Sequence, residues 1–321
     1  MSNLRRYPVI FNPKARSQKG GRVLKFLERN EDRFEMFATE YAGNACELAK
    51  RFAEEKRHTV VAAGGDGTLN EVVQGLAGSN TICGVLPGGT MNVFAREMGI
   101  PFDSLDKALE VIDSGQIREV DLFEANGSPF VQMAGVGIDA QVIEETKWES
   151  KKRLGPLAYL LSAVKVLGDK PPKMEIVLAD GHRETCVAVL AGNGSLYGGQ
   201  FKFFRKADNQ DSMLDVLVYK ESGYKLVLDS LRGLAFGGID LMKSTRYYQT
   251  SSFTVTADRE VPVEVDGEWL GRFDKVHFKN TANRLRVYAP DGPLAGNFAE
   301  TLKSIVNWPR RESDVQTSEK R

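Results

Sequence analysis

Short apolar runs alternate with amphipathic stretches through the first third of the chain. Tyr7–Phe11, Phe34–Thr39, Thr59–Ala63 and Thr81–Leu86 are each five or six residues long and rich in β-branched and aromatic side chains, the pattern of buried strands. Between them apolar residues recur at helical spacing: Val23, Leu24 and Leu27 after Gly20-Gly21; Cys46, Leu48, Ala49 and Phe52 within 44–55; Leu69, Val72, Val73 and Leu76 after Thr68. A further helix is expected to begin around Met91, and another over Asp103–Ile112, stopped by Gly115. Alternating strands and helices predict a doubly wound α/β domain over residues 1–121.

Beyond Val120-Asp121 the period shortens to two. Phe123–Val131 reads as a hairpin turning at Asn126-Gly127. A second hairpin joins Lys173–Leu178 to Glu184–Ala191 through Asp180-Gly181. Leu214–Tyr219, Ser252–Ala257, Val261–Val265, Lys275–Phe278 and Leu285–Tyr288 are further strands, so residues 122–288 predict a mainly antiparallel β domain. One helix interrupts it at Lys151–Leu167, basic at its entry and apolar beyond, with Trp148 just before. That composition suits packing on a sheet, and equally a face toward membrane or acyl chain. Pro309–Arg321 is polar and charged and is expected to be disordered.

Composition narrows the functional class. The chain has 321 residues, 42% hydrophobic and 27% charged, with 43 basic and 43 acidic side chains. That balance gives no electrostatic footprint for nucleic acid. Cys46, Cys83 and Cys186 are far apart and lack metal spacing, which fits a reducing, cytoplasmic setting. No leader pattern and no run of about 18–20 apolar residues is present, so any membrane contact is expected to be peripheral.

The chemistry gathers at turns. Gly64-Gly65-Asp66-Gly67-Thr68 lies between a strand and a helix, where glycines let the backbone approach an anion and the helix N-terminus favours negative charge. Asp66 would repel a phosphate there unless a Mg²⁺ lies between them or the acid handles a proton. Leu86-Pro-Gly-Gly-Thr-Met-Asn92 is a second such turn, in which Thr90 suits either a phosphate donor or an N-cap. Lys14, Arg16 and Lys19 follow the first strand and suit a solvated loop as well as phosphate. Asp266-Gly267-Glu268 reads as a hairpin turn flanked by acids, and Asp208–Asp215 as an acidic loop whose oxygens suit a hard cation. His58, His182 and His277 stand in or beside strands without partners and read as structural.

Taken together, Asn12-Pro13, Thr39 with Gly43, Gly64–Glu71, Leu86–Asn92, Asn193 with Gly198-Gly199, Asp211 and Asp266-Gly267-Glu268 resemble, in order, the diacylglycerol kinase-like lipid kinases, which include bacterial phospholipid kinases and sphingosine kinases. The resemblance implies a phosphofructokinase- and NAD-kinase-like α/β domain followed by a β-sandwich domain, with segment 289–308 returning to the first domain. It implies ATP as phosphoryl donor, held by Asn12, Thr39, Gly64, Gly65, Asp66, Gly67, Thr68, Leu69, Asn70, Gly89 and Thr90. Catalysis would fall to Asp66, Asp266 and Glu268, with Glu268 the first choice of base. Mg²⁺ would serve the nucleotide, and a structural Mg²⁺ would sit at Asp208, Asp211 and Met213. The acceptor would be a lipid hydroxyl at a membrane surface; a homodimer is left open. Two departures stand out. Val93 follows Asn92 where bacterial members usually carry Asp, and Asp211-Ser212 replaces a common Asp-Gly. The rival readings are an NAD kinase-like enzyme of a soluble substrate and a non-catalytic lipid- or nucleotide-binding protein.

Overall fold

The structure is a computed structural model that describes residues 6–13, 18–137, 140, 172–197, 199, 201–220 and 245–291. The helix expected at Lys151–Leu167, the tail 309–321 and residues 292–308 of the expected returning segment lie outside the described residues.

The first part alternates as its periodicity requires: β1 (Tyr7–Phe11), α1 (Gln18–Arg29), β2 (Phe34–Ala38), α2 (Asn44–Glu54), β3 (Thr59–Gly64), α3 (Asp66–Leu76), β4 (Ile82–Pro87), α4 (Val93–Glu97) and α5 (Leu105–Ser114). The strands pair in parallel in the order β4-β3-β1-β2. Val9, Ile10, Val60, Val61, Ile82 and Cys83 have no exposed surface, because helices cover both faces of this sheet. Side chains of that size each contribute about 1.5–3 kcal/mol when fully buried, so the strands' apolar runs decide the layer order. Gly75 on α3 lets that helix close on α2: a Cβ there would meet the Cys46 carbonyl oxygen at 2.4 Å and the Ala49 Cβ at 2.7 Å.

Three helix starts beside glycine turns differ from the sequence reading. Helix α1 begins at Gln18 and takes Gly20-Gly21 into itself. Helix α3 begins at Asp66, so the first glycine turn is only Gly64-Gly65. Helix α4 begins at Val93, with Asn92 rather than Thr90 as its N-cap.

The second part comprises β5 (Ile117–Ala125), β6 (Ser128–Phe130), β7 (Met133–Gly137), β8 (Met174–Leu178), β9 (Arg183–Cys186), β10 (Ala188–Gly192), β11 (Leu196–Tyr197), β12 (Phe201–Lys202), β13 (Leu214–Tyr219), β14 (Thr245–Thr250), β15 (Ser252–Val265) and β16 (Glu268–Tyr288). The run Glu184–Ala191 divides at Val187: β9 pairs with β8, whereas β10 pairs with β7 and β13. Strands β15 and β16 each merge two expected strands, because the intervening polar residues continue the extended backbone through irregular register at 256–261 and 280–284. Strands β7 and β14 carry no clean alternation in the sequence. All residues of β7 are buried, which removes the period-two signal.

Strand β5 runs straight through residue 121, and β16 spans both parts. It pairs with β15 and β5 and ends alongside β4 in parallel, Val287 opposite Cys83. The main path among the described residues is therefore one continuous sheet, β14-β13-β10-β7-β15-β16-β4-β3-β1-β2. Separate apolar clusters lie under the parallel half and the antiparallel half, the second built on Phe123, Phe130, Phe253 and Phe278.

Candidate active site

The first four strands end on one side of the sheet, and the candidate residues follow those ends. Asn12 stands just past β1 and is exposed. Thr39 follows β2, is buried, and donates its N–H to the Phe11 carbonyl at 2.9 Å. Gly64 ends β3, Gly65 is the N-cap of α3, and Gly88–Thr90 follow β4. This is where an open parallel sheet receives a ligand.

The two glycine turns touch through their backbones. Gly88 N–H donates to Gly64 O at 2.6 Å. A Cβ on Gly89 would meet Gly65 Cα at 2.6 Å and Asn92 Oδ1 at 2.8 Å, so a side chain there forces the turns apart. Asn92, in the left-handed region at φ 48°, folds its amide back onto both Gly89 N and Gly89 O. Gly89→Ala is therefore expected to lower the thermal unfolding midpoint, since forcing a side chain into a closed contact costs about 1–3 kcal/mol. An unchanged midpoint would show that the two turns tolerate a side chain between them.

Asp66 joins the same turns by another route. Its Oδ1 accepts the Val93 N–H at 2.8 Å, so the first helix residue of one turn caps the helix of the other. Burial raises its carboxyl above the usual range, against the lowering effect of the N–H groups of Val93, Asn92 and Phe94. Thr68 lies over Gly64, its Oγ1 2.9 Å from where a Gly64 Cβ would be. Leu69 has its side chain in the core and reaches the turn only by its backbone, N–H to Gly65 O at 3.1 Å. Asn70 turns toward the second part of the chain and donates Nδ2 to Asp266 O at 2.8 Å. Thr90 is exposed.

Asp266 and Gly267 form the two-residue loop between β15 and β16, both at positive φ (50° and 81°), as an Asp-Gly hairpin turn requires. The Asp266 carboxylate accepts three backbone N–H groups: Gln132 at 2.8 Å and Met133 at 2.9 Å on Oδ1, Val131 at 2.9 Å on Oδ2. Burial pushes its pKa up to about 6; the three N–H groups oppose this and the nearby Asp66 reinforces it. Two residues on, Glu268 is exposed, and its Oε1 lies 3.3 Å from where a Gly67 Cβ would be. The acids of the second part thus stand at the N-terminus of α3. Asp266 is the anchored one and Glu268 the one facing solvent.

The Asp208–Met213 loop lies apart from this cleft. Asp211 Oδ1 accepts the Met213 N–H at 2.9 Å, and Asp211 N–H reaches Asp208 O at 3.3 Å. Burial raises the Asp211 carboxyl, helped by Asp208 and Asp121. Asp121 is buried and fixes the loop: Oδ2 accepts Ser212 N–H at 2.5 Å, while Oδ1 pairs with Arg284 Nε at 2.8 Å. Ser212 takes φ 63°, the strained conformation a glycine would hold freely. The oxygen donors and surplus negative charge fit a hard cation. Among the described residues no group of three or more His, Cys, Asp and Glu side chains is arranged to hold a metal.

Sequence reasoning missed Glu97, Gln132 and Glu264. Glu264 has no exposed surface and accepts the Gly267 N–H at 2.8 Å, bracing the hairpin turn. Its place in the alternation of β15 was readable; its partner inside the turn was not.

Comparison with known proteins matches these two parts to two family models. Residues 6–125 match the diacylglycerol kinase catalytic domain, and residues 132–289 match the YegS C-terminal NAD kinase beta sandwich-like domain. A diacylglycerol kinase of Bacillus subtilis strain 168 is 28% identical over 300 residues, covering 89% of this chain and 97% of that protein. The crystal structure of a diacylglycerol kinase from Bacillus anthracis strain Sterne superposes with a TM-score of 0.72 at 23% identity, covering 90% of this chain and 98% of that one. An NAD kinase from Archaeoglobus fulgidus in complex with ATP gives 0.50 at 12% identity, over 88% and 93%.

Proposed function

Because the chain belongs to the diacylglycerol kinase catalytic-domain family, with the YegS-type C-terminal domain attached, we propose that it moves the γ-phosphoryl group of ATP to the free hydroxyl of a diacylglycerol presented at a membrane surface. That it is a lipid kinase, with an alcohol as acceptor, follows from the family. The choice of diacylglycerol is carried by the relatives of that name, which span nearly the whole chain.

The observation that carries the mechanism is the meeting of the Glu268 carboxylate with the N-terminus of α3. In this reading the triphosphate lies against the backbone of Gly64–Gly67 and Gly88–Gly89, where N–H groups and a helix N-terminus favour its charge. Glu268 accepts the acceptor's hydroxyl proton as the phosphoryl group transfers in line. Asp266 fixes the turn that carries Glu268. Asp66 opposes the ionisation of Asp266, which suits a Mg²⁺ beside them. Bound there, Mg²⁺ would neutralise charge on the phosphates. The Asp211 carboxylate, with Asp208 and Met213 backbone oxygens, would hold a second, structural Mg²⁺.

The test is incubation with γ-labelled ATP, Mg²⁺ and separate micelles of diacylglycerol, monoacylglycerol, phosphatidylglycerol and a sphingoid base, with NAD as the soluble alternative. Label in phosphatidic acid is expected. Label confined to another lipid would overturn the acceptor; label confined to NAD would overturn the lipid assignment.

A further inference from the structure

Glu97 is the last residue of α4, and none of its surface reaches solvent. Its carboxylate is received by the other half of the molecule. Oε1 accepts the Ser195 N–H at 3.0 Å and the Ser195 hydroxyl at 2.9 Å. Oε2 accepts the Leu196 N–H at 2.8 Å and the Gln132 side-chain amide at 3.1 Å. Four donors on two oxygens satisfy a buried carboxylate. An apolar side chain would seal the same contact without desolvating a charge, but it would not fix direction.

Gln132 gives the direction a meaning. Its side chain holds Glu97, while its backbone N–H holds Asp266 Oδ1 at 2.8 Å. Asp266 in turn accepts Asn70 Nδ2 on its backbone oxygen, and Asn70 lies on α3, whose first residue Asp66 caps α4. The contacts close a ring: α3, Asp66, α4, Glu97, Gln132, Asp266, Asn70 and back to α3. The phosphate-side turns lie on one arc and the Asp266–Glu268 turn on the other. A second contact runs beside it, with Met91 Cε 3.0 Å from where a Gly199 Cβ would be.

We propose that Glu97 is a positioning residue for phosphoryl transfer: by clasping Gln132, Ser195 and Leu196 it sets the separation between the Gly88–Asn92 turn and the acidic turn that carries Glu268. This rests on the reading that Glu268 deprotonates the acceptor. A carboxylate displaced by about 1 Å from its reacting partner costs on the order of 100-fold in rate, and through α4 the two arcs are joined by Glu97 and Gln132.

The test uses Glu97→Gln, which turns one acceptor oxygen into a donor facing donors, and Gln132→Met, which cuts the link to Glu97 while leaving the backbone N–H on Asp266. Each is expected to lower kcat roughly 10- to 100-fold with KM for ATP little changed and cooperative unfolding retained. The double variant is expected to be no slower than the slower single one, because both break one path. Wild-type kcat in Gln132→Met, or losses that multiply in the double variant, would overturn the role. Glu268→Gln measured in parallel separates the two ideas: if it is active the reading of the site fails, and if it is inactive while Gln132→Met is fully active only the positioning role fails.

Discussion

Glu268→Gln is expected to lower kcat by roughly 10²- to 10⁴-fold, the range lost when a positioned general base is removed. KM for ATP and the unfolding midpoint should stay at wild-type values. The separation of effects follows from where the side chain is. Glu268 faces solvent at the mouth between the two halves, with its Oε1 beside Gly67, and the change to an amide keeps its volume. What it removes is the capacity to take a proton. Steady-state kinetics on diacylglycerol micelles, with thermal unfolding of the same preparation, measures both quantities. Turnover near that of the wild type would remove Glu268 from the mechanism.

Asp266 should behave differently although it stands two residues away. Asp266→Ala leaves the N–H groups of Val131, Gln132 and Met133 without their acceptor. At about 1–3 kcal/mol for each buried donor left without a partner, the loss is roughly 3–9 kcal/mol, a large share of the stability of an ordinary domain. Asp266→Asn keeps one oxygen and should lose less. Loss of activity in these variants therefore reports the fold of the turn before it reports catalysis.

The pH dependence distinguishes them further. The folded pKa of Asp266 is about 6, above its ordinary value of 3.8, so between those limits the folded chain binds more protons than the unfolded one. The group's stabilising contribution is then complete below pH ~4 and declines as pH rises through ~6, by about 2–3 kcal/mol in all. The stability gap between wild type and Asp266→Asn should accordingly be wider near pH 5 than at pH 7.5. Denaturant unfolding at the two values measures it, and a gap that widens with pH would contradict the raised pKa.

Where local chemistry decides the structure, the sequence is transparent. The β-branched runs before Gly64 and Pro87 have no competing fate, and Asn126-Gly127 and Asp266-Gly267 fold as the hairpin turns their dipeptides demand. The fold classes of both halves were legible for that reason. Continuity was not. Nothing within Lys275–Phe278 or Leu285–Tyr288 reveals that β16 carries the chain through both and on to β4, because that extension is decided by partners up to two hundred residues away. The site shows the same division. The glycine turns stand out by type and spacing, whereas Asp266-Gly267-Glu268 reads alone as a plain hairpin turn and enters the candidate site only through the family resemblance. Glu97, in the run Ala95-Arg96-Glu97, has the look of an ordinary solvated helix residue; its burial is imposed by Ser195 and Leu196. Asn70 was readable as a group at the phosphate turn, whereas its bond to Asp266 belongs to the tertiary structure alone.

The end of β16 has a consequence for synthesis. Strand β4 is flanked by β3 on one side and by β16 on the other. When the ribosome has released residues 6–125, the span that matches the catalytic-domain family, the Val287 end of β16 is still more than 150 residues from being made. The nascent sheet waits with a row of unpaired N–H and C=O groups beside β4, the kind of edge that invites pairing with another chain. Closing it falls to the far end of the other half, so the parallel half is finished by the strand that begins at the acidic turn. The two halves mature together, and a fragment cut at residue 125 would carry both glycine turns on a sheet open at its edge.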